Sequence, residues 1–311
     1  MSKLVYIIST GHSGSTLLDL LIGSIPGVFS TGEVRRLPWQ LAHKNLAEKS
    51  VENQNICSCL NPFDQCEVWT QVVEELSAEA GFDIFAQPDR FPISMLIGHE
   101  ATYKMTTKDY AYNGLYKKSL AHPNLHWLAK LIYQSQLGRI KNNWKLFDAI
   151  EKVTGKQFVV DSSKDIARFP FLHTYRPEDT YLIVNKRDSL RFANSYIKRG
   201  LSPENSLKAR YGFYKTVYKI IENNPSINYM DVIYEDLCEN PSLLRKKIAN
   251  FLGIELPSLD YQINTRDYHL VEGNPMRYRG ELNIRIDNNW KKSLSDDEFE
   301  TITQLSEKYS I

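Results

Sequence analysis

The 311-residue sequence predicts an α/β fold: an open, mostly parallel sheet of the P-loop type, with helices on both faces. Three observations carry this. Short apolar runs recur along the chain, each followed by a polar loop and then a helical pattern. The first of them, Leu4 to Ser9, is apolar throughout, as expected of a strand covered on both faces. Gly- or Ser-bearing loops also sit at the ends of these runs, where an open parallel sheet binds its ligands.

The elements follow in order. Leu4–Ser9 reads as the first strand, residues 10–14 as a Gly/Ser loop, and about Ser15 to Ser24 as a helix stopped by Pro26-Gly27. Val28-Phe29-Ser30 is a short second strand ending at Gly32-Glu33. Residues 68–80 and about 95–150 read as mainly helical. Regular alternation then resumes, with strands at Gln157–Asp161, Thr180–Lys186 and Ile227–Tyr234. Helices are expected at Asp188–Lys198, Pro203–Asn223 and Pro241–Leu252. The tail after Tyr268 is loop-rich and closes with a helix from about Ser295. We read residues 1–311 as one domain with a helical insertion at about 68–150. Its aromatics (Tyr103, Tyr110, Tyr112, Tyr116, Trp127, Tyr133, Trp144) are expected to line an acceptor pocket or form its lid.

Composition narrows the function. Hydrophobic residues make up 42% and charged residues 24%, an ordinary globular balance. A formal net charge of +1 disfavours a general binder of nucleic acid, so any anion site should be local. No run approaches the length of a membrane span, and the apolar N-terminus reads as a strand, not a signal segment. A cytoplasmic protein is expected.

Ser9-Thr10-Gly11-His12-Ser13-Gly14-Ser15-Thr16 follows a buried strand and opens a helix. Its glycines let several N–H groups converge on one anion, and the helix N-terminus adds partial positive charge. Ser13, Ser15 and Thr16 supply hydroxyls. Kinase-type loops follow the second Gly with Lys, which reaches the outer phosphates. Here Ser15 follows Gly14. Further on, Arg187 ends a strand and Ser195 lies eight residues later on the next helix. An always-charged guanidinium and a nearby hydroxyl can grip a phosphomonoester.

These segments resemble the PAPS-dependent sulfotransferases, which use 3′-phosphoadenosine 5′-phosphosulfate, and in particular their bacterial and tyrosylprotein-type branch. His12-Ser13-Gly14-Ser15-Thr16 is similar to the last five positions of the family's PKSGTT or PRSGTT loop, with His12 in place of Lys or Arg. Arg187 and Ser195 resemble its 3′-phosphate pair. Gly273-Asn274-Pro275-Met276-Arg277-Tyr278-Arg279-Gly280, with Asn289-Trp290-Lys291, resembles its RKGxxGxW segment at longer spacing, which leaves open whether Arg277 or Arg279 touches phosphate. The resemblance implies a cofactor site of Gly11, His12, Ser13, Gly14, Ser15, Thr16, Arg187, Ser195, Arg277, Arg279 and Gly280. It implies that Glu33 of Gly32-Glu33 is the general base, and that Lys164 of Asp161-Ser162-Ser163-Lys164 stabilises the leaving phosphate. His12 is a third catalytic candidate, able to donate a hydrogen bond. His99 or His126 could replace Glu33 as base, Ser162 and Ser163 could be helix caps, and His269 could help hold the nucleotide.

The function expected from the resemblance is sulfuryl transfer to a hydroxyl or amine of a small molecule, of secondary-metabolite type, without a metal. An ATP-using small-molecule kinase and a non-catalytic nucleotide-binding protein are the alternatives. Cys57, Cys59 and Cys66 cluster in sequence. With only three local ligands and His43 as a distant fourth, a buried thiol cluster is preferred over zinc, which takes four.

Overall fold

A computed structural model describes residues 1–43, 55–96, 100, 105–286 and 288–309. Its sheet has five parallel strands: β1 (Lys3–Ser9), β2 (Val28–Ser30), β3 (Phe158–Asp161), β4 (Thr180–Lys186) and β5 (Asn228–Ile233). The spatial order is β2-β3-β1-β4-β5. β1 is central: it pairs with β3 on one side and with β4 on the other, where Ile7 faces Ile183. The chain lays β2 and β3 on one side of β1, and β4 and β5 on the other. This leaves a crevice at the carboxyl end of β1, the usual ligand position in open α/β sheets.

The helices are α1 (Ser15–Gly23), α2 (Leu37–Ala42), α3 (Glu67–Ala80), α4 (Thr107–Ala121), α5 (His126–Ser135), α6 (Leu137–Thr154), α7 (Arg168–Tyr175), α8 (Ser189–Ile197), α9 (Pro203–Glu222), α10 (Tyr234–Glu239), α11 (Pro241–Leu252), α12 (Trp290–Ser293) and α13 (Asp296–Lys308). Successive side chains of a strand point to opposite faces. Leu4, Tyr6 and Ile8 of β1 therefore join one core, with Trp69 of α3, Trp144 and Phe147 of α6 and Tyr214 of α9. Val5 and Ile7 join the other, with Leu18 and Leu21 of α1 and Ile248 of α11. Covered on both faces, β1 has no use for polar residues inside its span, which explains its unbroken apolar run.

One buried ion pair supports the carboxyl end of β3. Arg168, fully buried, donates to Asp161 Oδ2 at 2.8 Å and to the Ile93 carbonyl at 2.7 Å. The other Asp161 oxygen accepts from Ser163 N–H at 2.9 Å, which fixes the loop that follows β3.

The insertion's described aromatics divide between core and surface. Tyr116 is buried and stacks on Phe171 at 4.0 Å, and Trp144 is a core residue. Tyr110 and Trp127 are 65% and 63% exposed. Tyr103 lies outside the described residues. Among the described residues, no helix is long and apolar enough to cross a membrane.

Candidate functional site

Every strand delivers a functional side chain at its carboxyl end. The 10–14 loop follows β1, Glu33 follows β2, Lys164 follows β3, Arg187 follows β4, and Tyr234 follows β5. They meet around a cavity of about 750 Å³.

The loop after β1 is pinned from beneath. Asn185 Nδ2 donates to the Ser13 carbonyl at 2.8 Å, and the Thr10 and Ser13 hydroxyls share a hydrogen bond of 2.7 Å. Gly14 takes φ +79° at the head of α1, with no side chain capping the first turn. A Cβ there would run into the Tyr234 ring. The first-turn N–H groups at Ser15 and Thr16 therefore open onto the cavity, a ready anion cradle. His12 also has a left-handed backbone, φ +59°. Burial, then the charges of Arg199, Lys164 and Arg187, lower its pKa, so the ring is neutral at pH 7.

Arg187 Nη1 donates to the His12 carbonyl at 2.8 Å, and its guanidinium lies over the Tyr234 ring at 4.6 Å. Ser195 Oγ is 3.5 Å from the same Nη1. One helical turn on, Arg199 joins the cavity wall and approaches His12 Nδ1 at 3.5 Å. Arg279 and Gly273 close the far side, where Asn274 N–H donates to Thr16 Oγ1 at 3.0 Å. Four cationic side chains, Lys164, Arg187, Arg199 and Arg279, thus face the cavity beside a single carboxylate among the described residues, Glu33. This donor set fits a ligand with several negative charges.

Glu33 and Lys164 form an ion pair, Oε1 to Nζ 2.6 Å. The two loops that carry them share a brace. Asp19 Oδ2 accepts from Gly32 N–H at 3.1 Å and from Ser162 Oγ at 2.6 Å. Asp19 is fully buried, and burial raises its pKa to about 7 against the lowering effect of its hydrogen bonds with Ser162 and Ser30. Lys164 itself has φ +63°, a conformation that costs a non-glycine residue energy and gathers at functional sites.

A second cavity, about 250 Å³, continues past this pair and is lined by Glu33, Lys164, Met95, Met105, Ile166 and Phe213 among others. A third, about 420 Å³, lies between α8 and α9 and also reaches Lys164 and Phe213. Among the described residues, the insertion reaches the second cavity through Met95, Met105, Asn113 and Lys117, and its described aromatics do not line it.

Several expected residues sit elsewhere. The Ser13 hydroxyl turns toward Thr10, so only its backbone is near the site. Arg277 is 4% exposed, lies over the Tyr278 ring and is absent from the cavity wall; Arg279 is the arginine that faces it. Gly280 donates its N–H to Thr265 Oγ1 at 3.0 Å and shapes a turn, while the glycine at the cavity is Gly273. Trp290 stacks on Phe299 of α13 at 6.0 Å. Ser162 bonds Asp19 and does not act as a helix cap. His126 is exposed on α5, His99 lies outside the described residues, and His269 sits among cysteines instead of at the 750 Å³ cavity. Sequence reading missed Arg199, Tyr234 and Gly273. Of these, Arg199 had a signal, four residues after Ser195 on the way out of the same helix.

No family model matches the chain, and no curated protein matches its sequence. Several solved structures are similar in outline. The sulfotransferase domain from the curacin biosynthetic pathway is 14% identical over 98% of each chain, with a TM-score of 0.48. The sulfotransferase domain of the Synechococcus PCC 7002 olefin synthase is 14% identical over 97% of this chain and 94% of that one, TM-score 0.44. A sulfotransferase from Alicyclobacillus acidocaldarius is 11% identical over 99% and 92%, TM-score 0.43. Likeness at this level does not assign the chain to a family.

Proposed function

We propose that the protein is a sulfotransferase that moves a sulfuryl group from 3′-phosphoadenosine 5′-phosphosulfate to a hydroxyl or amine of a small acceptor. The observation that carries this reading is the convergence of the Gly14 loop, the Arg187–Ser195 pair and the Glu33–Lys164 pair on one cavity with an excess of cations. PAPS, when bound, supplies an activated sulfuryl group and leaves as adenosine 3′,5′-bisphosphate.

The chain's own residues divide the work. The first-turn N–H groups of α1 and the Thr16 hydroxyl hold the 5′ end, while Arg187, Ser195 and Arg279 hold the 3′-phosphate. Lys164 places an ammonium where negative charge develops on the leaving oxygen. Glu33 lines both the large cavity and the 250 Å³ one, so it can accept the acceptor's proton at the boundary between donor and acceptor. Methionine and phenylalanine on the acceptor side favour a compact, partly apolar molecule of secondary-metabolite type. Arg199 places a permanent charge beside the neutral His12, at the edge where a Lys or Arg would otherwise stand.

The kinase alternative needs a phosphate-reaching Lys after Gly14, and that position is Ser15. The test is transfer of labelled sulfate from PAPS to a panel of small hydroxyl and amine acceptors, with and without added Mg²⁺. Mg²⁺-independent transfer, and binding of adenosine 3′,5′-bisphosphate in preference to ATP, are expected. Preference for ATP with Mg²⁺ and no transfer from PAPS would refute the proposal.

A further inference from the structure

We propose that Cys57, Cys59, Cys66 and His269 form a structural zinc site that fastens the segment carrying Gly273 and Arg279 to the N-terminal half of the chain. The ligand atoms of these four residues lie within 4.8 Å of one another. The individual separations are 3.7 Å for Cys59 Sγ to Cys66 Sγ, 3.2 Å for Cys66 Sγ to His269 Nδ1 and 3.8 Å for Cys57 Sγ to His269 Nδ1. A tetrahedral zinc with bonds of about 2.3 Å to sulfur and 2.0–2.1 Å to nitrogen sets edges of roughly 3.5–3.8 Å. The four atoms thus stand near the corners such an ion requires. All four cysteines of the chain are free thiols, so no disulfide accounts for the grouping.

The surroundings hold the ligands in this arrangement. Cys57 N–H donates to the Asn61 carbonyl at 2.9 Å, and Leu60 N–H returns to the Cys57 carbonyl at 2.9 Å. This tight turn forces Leu60 to φ +71°, a strained choice for leucine that brings Cys57 and Cys59 together. Cys66 stands at the N-cap of α3, whose first turn fixes its position beside Cys59.

His269 is gripped on both sides. Ser58 Oγ donates to the Tyr268 carbonyl at 2.6 Å and accepts from Leu270 N–H at 2.9 Å. Trp69 Nε1 donates to the His269 carbonyl at 2.8 Å, and the Phe29 ring stacks parallel to the imidazole at 6.3 Å. These contacts hold the His269 backbone and the plane of its ring.

Three thiolates and one imidazole select zinc over magnesium or calcium, and a full set of four protein ligands makes a closed, structural site. His43, the fourth ligand that sequence spacing offered, is instead stacked on Trp39, with Nδ1 2.9 Å from the Trp39 carbonyl.

The site's consequence lies one strand-length away. Val271 N–H donates to the Thr31 carbonyl at 2.8 Å, Glu33 N–H donates to the Glu272 carbonyl at 3.2 Å, and Asn274 N–H donates to Thr16. Residues 268–274 therefore lie alongside both the base loop and the anion loop, with the metal at their entry. This holds whichever reaction the cavity performs.

The test begins with the full chain purified without chelator and its metals counted by mass spectrometry. About one zinc per chain is expected, unchanged in His43→Ala and lost in Cys59→Ser. Cobalt exchange should give the intense visible bands of tetrahedral thiolate coordination. Should Cys59→Ser fail to fold, chelator titration of the wild-type chain serves, with a drop in Tm that zinc restores. Less than about 0.1 zinc per chain even after dialysis against zinc, with Cys57, Cys59 and Cys66 open to a thiol reagent and Tm indifferent to chelator, would overturn the proposal. Iron in the site, or a disulfide among these cysteines in the purified protein, would overturn it equally.

Discussion

Replacing Glu33 with glutamine separates chemistry from binding. The substitution keeps the side chain's length and an acceptor oxygen for Lys164 but removes the charge. Glu33 Oε1 and Lys164 Nζ are 2.6 Å apart, with side chains 16% and 22% exposed. At an effective dielectric of about 20, two unit charges at that distance attract by roughly 6 kcal/mol before desolvation is counted. Hydrogen bonds to charged groups net about 1.5–3 kcal/mol, which bounds the loss of stability and leaves the variant folded.

Turnover should respond far more. A positioned general base contributes about 10²–10⁴-fold, so kcat should fall by that factor, roughly 3–5 kcal/mol in the barrier. Affinity should move the other way or not at all. The substitution removes the one carboxylate that lines the cavity among the described residues, beside Lys164, Arg187, Arg199 and Arg279. The Kd for adenosine 3′,5′-bisphosphate should stay level or tighten up to about fivefold, near 1 kcal/mol. Calorimetry with the bisphosphate and sulfate-transfer rates at saturating donor read the two effects separately. Full turnover in the variant would remove Glu33 from the chemistry. Equal losses of turnover and affinity would mean that it organises the loops instead.

Arg187→Ala loses the bond to the His12 carbonyl, the stacking on Tyr234 and one cation, so the bisphosphate Kd should rise roughly 10- to 150-fold; Arg187→Lys should recover only part, and an unchanged Kd would contradict the assignment. Arg168→Ala leaves Asp161 charged and buried without its partner, a loss of about 3–5 kcal/mol in urea unfolding, and a change below about 1 kcal/mol would refute that account. Asp19 has a pKa of about 7 in the folded chain, against about 3.9 when unfolded. The unfolded chain therefore loses this proton first as pH rises, and stability falls by about 1.4 kcal/mol per unit between pH 4 and 7, then levels. Asp19→Asn cannot titrate, so its stability relative to wild type should climb across that window; parallel pH curves would refute the assignment.

Much of the architecture was legible because it depends on local pattern. β4 and α11 fall at the bounds read from sequence, since each is a clean run between strong punctuation: Pro177 before β4, and Pro241 and Gly253 around α11. The strand ends were legible too, and with them the loops that carry Gly14, Glu33, Lys164 and Arg187. What sequence does not encode locally is the direction a side chain takes once packed. Arg277 and Arg279 are two positions apart at a short 3₁₀ turn, and of the pair Arg279 alone lines the cavity. The insertion's aromatics resemble ligand groups in sequence because aromatic clusters serve pockets and cores equally well, and Tyr116 on Phe171 serves a core.

The least legible features are those made by chain crossings. Glu33 and Lys164 are 131 positions apart and touch only because β2 and β3 are neighbours that end together. Cys66 and His269 are 203 positions apart, and nothing near Cys57 announces a histidine. The second pairing follows from one topological fact. Segment 268–274 returns to run beside the loop after β2, so a single stretch of backbone touches Glu33 through Glu272, the start of α1 through Asn274 and the thiols through His269. A change at the cysteines should therefore be felt at the cavity that Gly14, Arg187 and Gly273 line before it is felt in the sheet, because the sheet's own strands pair without that segment.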